Sequence, residues 1–157
     1  MKHLKFVGLK VSEISFKAHN DFLTGGEFFK INPKIRMDLN QTPTNMMLTV
    51  TVTIDKHLDA APPFELNLVM QSSFQIESFG DLNIMRLEAT EFTFPYVRAA
   101  VSQITSTVGL PAFIMPVIDF SAPQNNMQQQ PNTPFQAPPQ KPKQNDSIII
   151  TPLDVDI

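Results

Sequence analysis

From Met46 to Ile54 the chain alternates without a break. Met46, Leu48, Val50, Val52 and Ile54 stand between Met47, Thr49, Thr51 and Thr53. A period of two places one set of side chains on each side of an extended backbone, so this stretch fits a half-buried strand and no helix. The period recurs on either side of it. Ile35, Met37 and Leu39 alternate with Lys34, Arg36 and Asp38, and Pro43 closes that strand. Phe64, Leu66, Leu68 and Met70 begin another that continues through Phe74 and Ile76. Near the start, Val7, Leu9 and Val11 share one parity while Ile14 and Phe16 take the other. That phase slip predicts a bulge or twist inside one long first strand. The connections are too short for crossover helices, so the four strands make an antiparallel sheet. The partners of the apolar positions are mostly Thr and charged residues, which predicts one solvated face and one covered by helix.

Past Gly80 the period changes. Leu82, Met85 and Ala89 predict a short helix, interrupted at Thr93-Phe94-Pro95-Tyr96. A second helix is expected from Pro95 to Val108, with Pro suited to its first turn and Gly109 as its stop. Its apolar stripe would be Tyr96, Ala99, Ala100, Ile104 and Val108, where small Ala side chains allow close approach of another element. Leu110 to Phe120, broken by Pro111 and Pro116, reads as an apolar irregular segment lying along the body. The class is α+β, a four-stranded antiparallel sheet followed by helices.

The composition shifts after Phe120. Residues 121–157 hold 7 of the 14 prolines, 7 glutamines and only 5 charges. Prolines so closely spaced exclude a helix, and few apolar groups are present to offset the entropy of ordering. The chain of 157 residues therefore divides into a domain over 1–120, a Pro/Gln-rich flexible linker over 121–147, and an apolar and acidic tail peptide over 148–157. The last piece, Ile148-Ile149-Ile150 followed by Leu153, Val155 and Ile157 among Asp154 and Asp156, either folds back on the body or serves as a peptide for a partner.

A net charge of −3 argues against a phosphate-neutralising surface and thus against nucleic acid. There is no cysteine, so no disulfide framework or thiolate site. No apolar run reaches the roughly 18 residues of a membrane helix, and a soluble cytoplasmic protein is expected. Catalytic signatures are scarce. His3, His19 and His57 stand apart, Asp55 and Asp59 bracket His57 without a marked nucleophile, and Gly25-Gly26 lacks a phosphate-binding fingerprint. Glu88 and Glu91 read as a solvated helical face. No enzyme activity, cofactor or metal is expected. What stands out is soft apolar surface: 8 Met and 13 Phe with no Trp, and a glycine-containing loop that carries Phe22, Phe28, Phe29 and Ile31. Such side chains either cover a sheet edge or subunit contact, or line an apolar groove that adapts to varied polypeptides.

Phe94-Pro95-Tyr96 with Arg98, Gly109-Leu110-Pro111 and Pro116-Val117-Ile118-Asp119-Phe120 resemble the C-terminal half of the SecB family of protein-export chaperones. Ile14 to Asn20, Pro33 with Asp38-Leu39, Val50 to Thr53, and Phe74 with Ile76 resemble its strands, in order. The resemblance implies an ATP-independent holdase that keeps unfolded polypeptides in apolar grooves and passes preproteins to the SecA motor. It also implies a homotetramer, a dimer of dimers, with Tyr96, Ala99, Ala100 and Ile104 at the subunit interface. Client-binding positions would be Phe22, Phe28, Phe29 and Ile31 on one wall, and Ile114 and Met115 on the other. Partner docking would fall on Glu13, Lys17 and Asn67. There Lys17 and Asn67 stand where acidic residues are typical, which weakens attraction to a basic surface. A SecB-like chaperone dedicated to one partner such as an antitoxin, or a non-enzymatic adaptor on the same fold, is the alternative.

Overall fold

The computed structural model describes residues 1–19, 28–55, 62–121 and 133–136. Phe22, His57 and the tail peptide 148–157 lie outside the described residues. Strands β1 (Leu4–Ala18), β3 (Lys34–Gln41), β4 (Asn45–Ile54) and β5 (Phe64–Ile76) form an antiparallel sheet in the order β1-β5-β4-β3. A short strand β2 (Phe28–Ile31) lies outside that sheet and pairs with β6 (Thr133–Gln136). Among the described residues one helix, α1 (Leu82–Thr107), follows the sheet.

The alternation in β4 is realised completely. Met46, Leu48, Val50, Val52 and Ile54 are at most 2% exposed, and their Thr neighbours form the opposite face. β5 repeats this with Phe64, Leu66, Leu68, Met70 and Phe74. Burying side chains of this size contributes about 1.5–3 kcal/mol each before the entropy of ordering is counted. β1 carries two register shifts, between Phe6 and Gly8 and between Val11 and Glu13. The predicted phase slip is the second of these. Each extra residue inverts the parity that follows, so the positions paired with the inward set of β5 become Leu4, Phe6, Leu9, Val11, Ile14 and Phe16. The second bulge also turns Glu13, which would otherwise share the parity of Val11, to the outer face.

The expected break in the helical region is absent. α1 is a single helix of 26 residues with Pro95 inside it. Proline removes one N–H and crowds the carbonyl one turn earlier, that of Glu91. Both Pro95 and Glu91 are exposed, so water reaches the carbonyl that loses its partner. Next to it, Thr93 and Phe94 are anchored in the core. Tertiary packing thus carries the helix through a residue that would end it in isolation.

The buried face of α1 is Met85, Ala89, Thr93, Val97, Val101 and Thr105, with Thr90 and Phe94 beside it. Spacing of four residues makes this one continuous line. Two of its members are polar and satisfied. Thr93 is 2.7 Å from the buried Ser72 hydroxyl of β5 and donates to the Ala89 carbonyl, while Thr105 donates to the Val101 carbonyl. The stripe expected from the sequence lies to one side: Tyr96 and Ala99 are exposed, and Ala100 and Ile104 are half-buried at the margin of the core. Asp81 caps the helix by accepting from the Asn83 N–H at 2.8 Å. At the far end Gly109 has φ of 84°, and the Gly109 and Leu110 N–H groups return to the carbonyls of Ser106 and Thr105. This left-handed closure is open to glycine and unfavourable for most other residues.

Candidate functional site

The segment after α1 has no regular structure, yet it is held at fixed points. Thr105 Oγ1 accepts from the Phe113 N–H at 2.9 Å, and Arg98 Nε donates to the Met115 carbonyl at 3.0 Å. The ring of Phe113 meets Phe64 of β5 at 6.2 Å, and Phe120 meets Phe94 at 4.9 Å, both edge-on. Along this segment neighbouring residues alternate in burial. Phe113 and Met115 are buried at 2% and 0%, whereas Ile114 and Val117 are 62% and 80% exposed. Aliphatic groups are therefore presented outward on a backbone pinned to the core.

The second apolar element is β2. Its last residue, Ile31, is 2% exposed and belongs to the same core cluster as Phe113 and Met115. Phe28 and Phe29 precede it on the strand. Of the six client-binding positions expected from the sequence, three thus lie on β2 and two on the segment after α1. Ile114 is open to solvent, while Ile31 and Met115 are buried in the core cluster. The roles of Arg98, Thr105 and Val117 were not legible as part of this surface. Arg98 could be singled out only as part of a motif, and Thr105 is a polar residue in an apolar line, a pattern that marks a buried hydrogen bond only after packing is known.

The outer face of the sheet is a separate surface. Asn67 of β5 donates to Glu13 of β1 at 2.9 Å and accepts from Thr53 of β4 at 3.3 Å. Lys17 stands opposite Glu65 in the β1–β5 register. The three residues expected at a docking face therefore share one side of the sheet. The Glu13 carboxylate is engaged by an amide, and Lys17 adds positive charge nearby.

A third cluster fixes the N-terminal segment. The backbone N–H groups of Lys2 and His3 donate to the Glu88 carboxylate at 3.2 Å, and His3 Nδ1 lies 3.0 Å from Glu88 Oε1. Burial opposes the Glu88 charge, but the His3 ring, the two backbone donors and the charge of His3 together hold the carboxyl below its ordinary value. A side chain at Gly80 would collide with the His3 ring at 2.7 Å, so glycine is what lets the two segments meet. His19 likewise lies 3.0 Å from a carboxylate, that of Glu65. Each of the two described histidines thus has a ring nitrogen 3.0 Å from a carboxylate oxygen.

The order of strands, the long helix and the anchored segment after it can now be set beside known proteins. Residues 3–131 match the family described as SecB, preprotein translocase subunit SecB. The chain belongs to the SecB family. Its similarity to individual members is low, as expected of a divergent one. It is 25% identical over 125 residues to the protein-export protein SecB of Caulobacter sp. (strain K31), covering 75% of this chain and 76% of the relative. It is 22% identical over 138 residues to the protein-export protein SecB of Anaplasma marginale (strain Florida), covering 76% and 79%. A solved SecB-like chaperone from Mycobacterium tuberculosis, in complex with a ChAD peptide from an antitoxin, shares the fold with a TM-score of 0.59 at 8% identity, covering 75% of this chain and 92% of that one. Family membership makes this a chaperone-family protein associated with protein export. Among the described residues, no helix is long and apolar enough to cross a membrane.

Proposed function

We propose that this protein is an ATP-independent holdase that keeps unfolded polypeptides in soluble, extended form for export. The observation that carries the reading is the pairing of SecB-family membership with outward Ile114 and Val117 on a pinned backbone. By the family resemblance, the other wall is assigned to Phe22, Phe28 and Phe29. Each apolar client side chain covered there contributes about 1.5–3 kcal/mol before ordering costs, so weak contacts add along a disordered chain. A folded client hides the same groups, and selectivity follows without nucleotide, metal or chemical step. The exposed Tyr96 and Ala99, with the marginal Ala100 and Ile104, suit a helix-mediated dimer of dimers. Light scattering should then give the mass of a tetramer at micromolar concentration, and a monomer would refute the assembly.

The test of function is suppression of aggregation of several unrelated unfolded proteins, without ATP, at stoichiometric ratios. Protection of none would refute the holdase. A second reading is a chaperone dedicated to one partner such as an antitoxin. It is favoured by the antitoxin peptide bound to the related fold and by the outer face, where Asn67 engages Glu13 and Lys17 faces Glu65. That face is less suited to a basic motor surface such as that of SecA than an uninterrupted acidic one would be. Identification of clients trapped during purification separates the two: many exported precursors for the first, one partner for the second.

A further inference from the structure

β2 is a strand without a place in the main sheet. It is anchored at Ile31, and Phe28 and Phe29 are two further positions assigned above to clients. Its partner comes from the far end of the chain. Thr133-Pro134-Phe135-Gln136 runs antiparallel to it, with Phe28 opposite Gln136, Phe29 opposite Phe135, Lys30 opposite Pro134 and Ile31 opposite Thr133. The pairing spans more than a hundred residues of sequence and covers only four on each strand. Such a ladder is short, and Pro134 has no N–H to give it. The surrounding composition is that of an unfolded client rather than of a domain. No charged residue occurs between Asp119 and Lys141, and prolines flank the paired stretch at 131 and 138.

We infer that β2 is a strand-addition edge for extended, uncharged segments of unfolded polypeptide, and that Thr133–Gln136 is its built-in occupant, displaced when a client binds. Backbone hydrogen bonding gives such an edge affinity for almost any extended sequence, with selectivity left to neighbouring apolar positions. That is what a binder of many clients needs. A tethered occupant competes at an effective concentration of about millimolar, so a weak four-residue strand still shields the edge while no client is present. A client with several apolar stretches gains contacts along the rest of the surface that the tail strand lacks, and it prevails. The inference rests on the holdase reading for the identity of the competitor, but the tail pairing itself does not depend on it.

The chain lacks cysteine, so a reversible lock can be built cleanly. Because Pro134 cannot donate, the Lys30–Pro134 pair occupies a non-hydrogen-bonded position, where Cα atoms approach to about 4.5 Å and a disulfide fits. The full-length Lys30→Cys, Pro134→Cys variant should oxidise faster than a control pair of Lys30→Cys with Ser147→Cys. Its affinity for a permanently unfolded test protein should fall at least about tenfold on oxidation and recover on reduction. In the full-length Phe135→Pro variant, which removes a donor from the tail strand, affinity should rise several-fold. A pair that oxidises no faster than the control overturns the strand pairing. A disulfide that forms and leaves client affinity unchanged overturns the competition while leaving the holdase intact. Rapid oxidation with no client binding in any state refutes the holdase, and with it the displacement by clients.

Discussion

β4 and β2 are both apolar extended segments, and the fold treats them in opposite ways. β4 lies between β3 and β5, its backbone paired on both sides and its inward residues fully buried. β2 has four residues, stands apart from that sheet, and is paired with a strand from the tail. A contrast in burial runs through the segment after α1, where Phe113 and Met115 go in and Ile114 and Val117 stay out. Apolar residues are thus divided between those that hold the molecule together and those that the molecule holds out. The first set determines stability. The second set, under the proposed function, determines binding.

The division can be broken from the core side with the largest effect. Leu68→Ala removes a side chain with no exposure at the centre of β5, and should cost about 2–5 kcal/mol in urea denaturation. Ile114→Ser should change stability by no more than about 0.5 kcal/mol, while weakening client binding. If the two variants lost stability equally, the division between core and binding surface would fail.

Thr105→Val tests the joint between the two sets. It keeps the shape of the side chain and removes the oxygen that accepts from the buried Phe113 N–H. An unsatisfied buried donor costs about 1–3 kcal/mol, and here the loss should also raise hydrogen exchange along residues 111–117. Unchanged exchange would show that Arg98 and the ring contacts suffice to pin the segment.

Replacing Phe28 and Phe29 together by Ser should leave the melting temperature and the oligomer nearly unchanged while weakening client binding severalfold, as measured by fluorescence anisotropy. Failure to fold or assemble would place these residues in a structural contact instead. The smallest effect is electrostatic. The folded-state value of Glu88 lies below the ordinary value of about 4.5, so its contribution is complete above that pH. It is lost as pH falls through the lowered folded value. Glu88→Gln should therefore flatten the dependence of melting temperature on pH in that acid window and have little effect on the slope near neutrality.

Strands of strict alternation were the most legible part of the chain, because burial on one face writes directly into every second residue. β3, β4 and β5 follow that pattern. β1 was legible as a bulged strand but not as one with two bulges, since Val7 and Ser12 differ little in character from their neighbours. The continuity of α1 was hidden by Pro95, whose cost is offset by packing of Thr93 and Phe94 that no local pattern reveals. Its buried line was obscured for a similar reason: Thr93 and Thr105 look like surface residues until Ser72 and Phe113 are brought to them. The candidate surface was suggested by an excess of Phe and Met, and its positions were proposed from the family resemblance. The strand at Thr133–Gln136 was not, because pairing over such a distance leaves no periodicity in four residues.

The central claim, that the outward apolar set binds unfolded chains, is tested most directly by titrating the full-length protein against one client in two states. A protein that can be held permanently unfolded and also obtained folded should be followed by anisotropy without nucleotide. The account predicts saturable binding of the unfolded form, weakened severalfold by the Phe28→Ser, Phe29→Ser variant, and no binding of the folded form. Equal binding of both forms, or none of either, would contradict it.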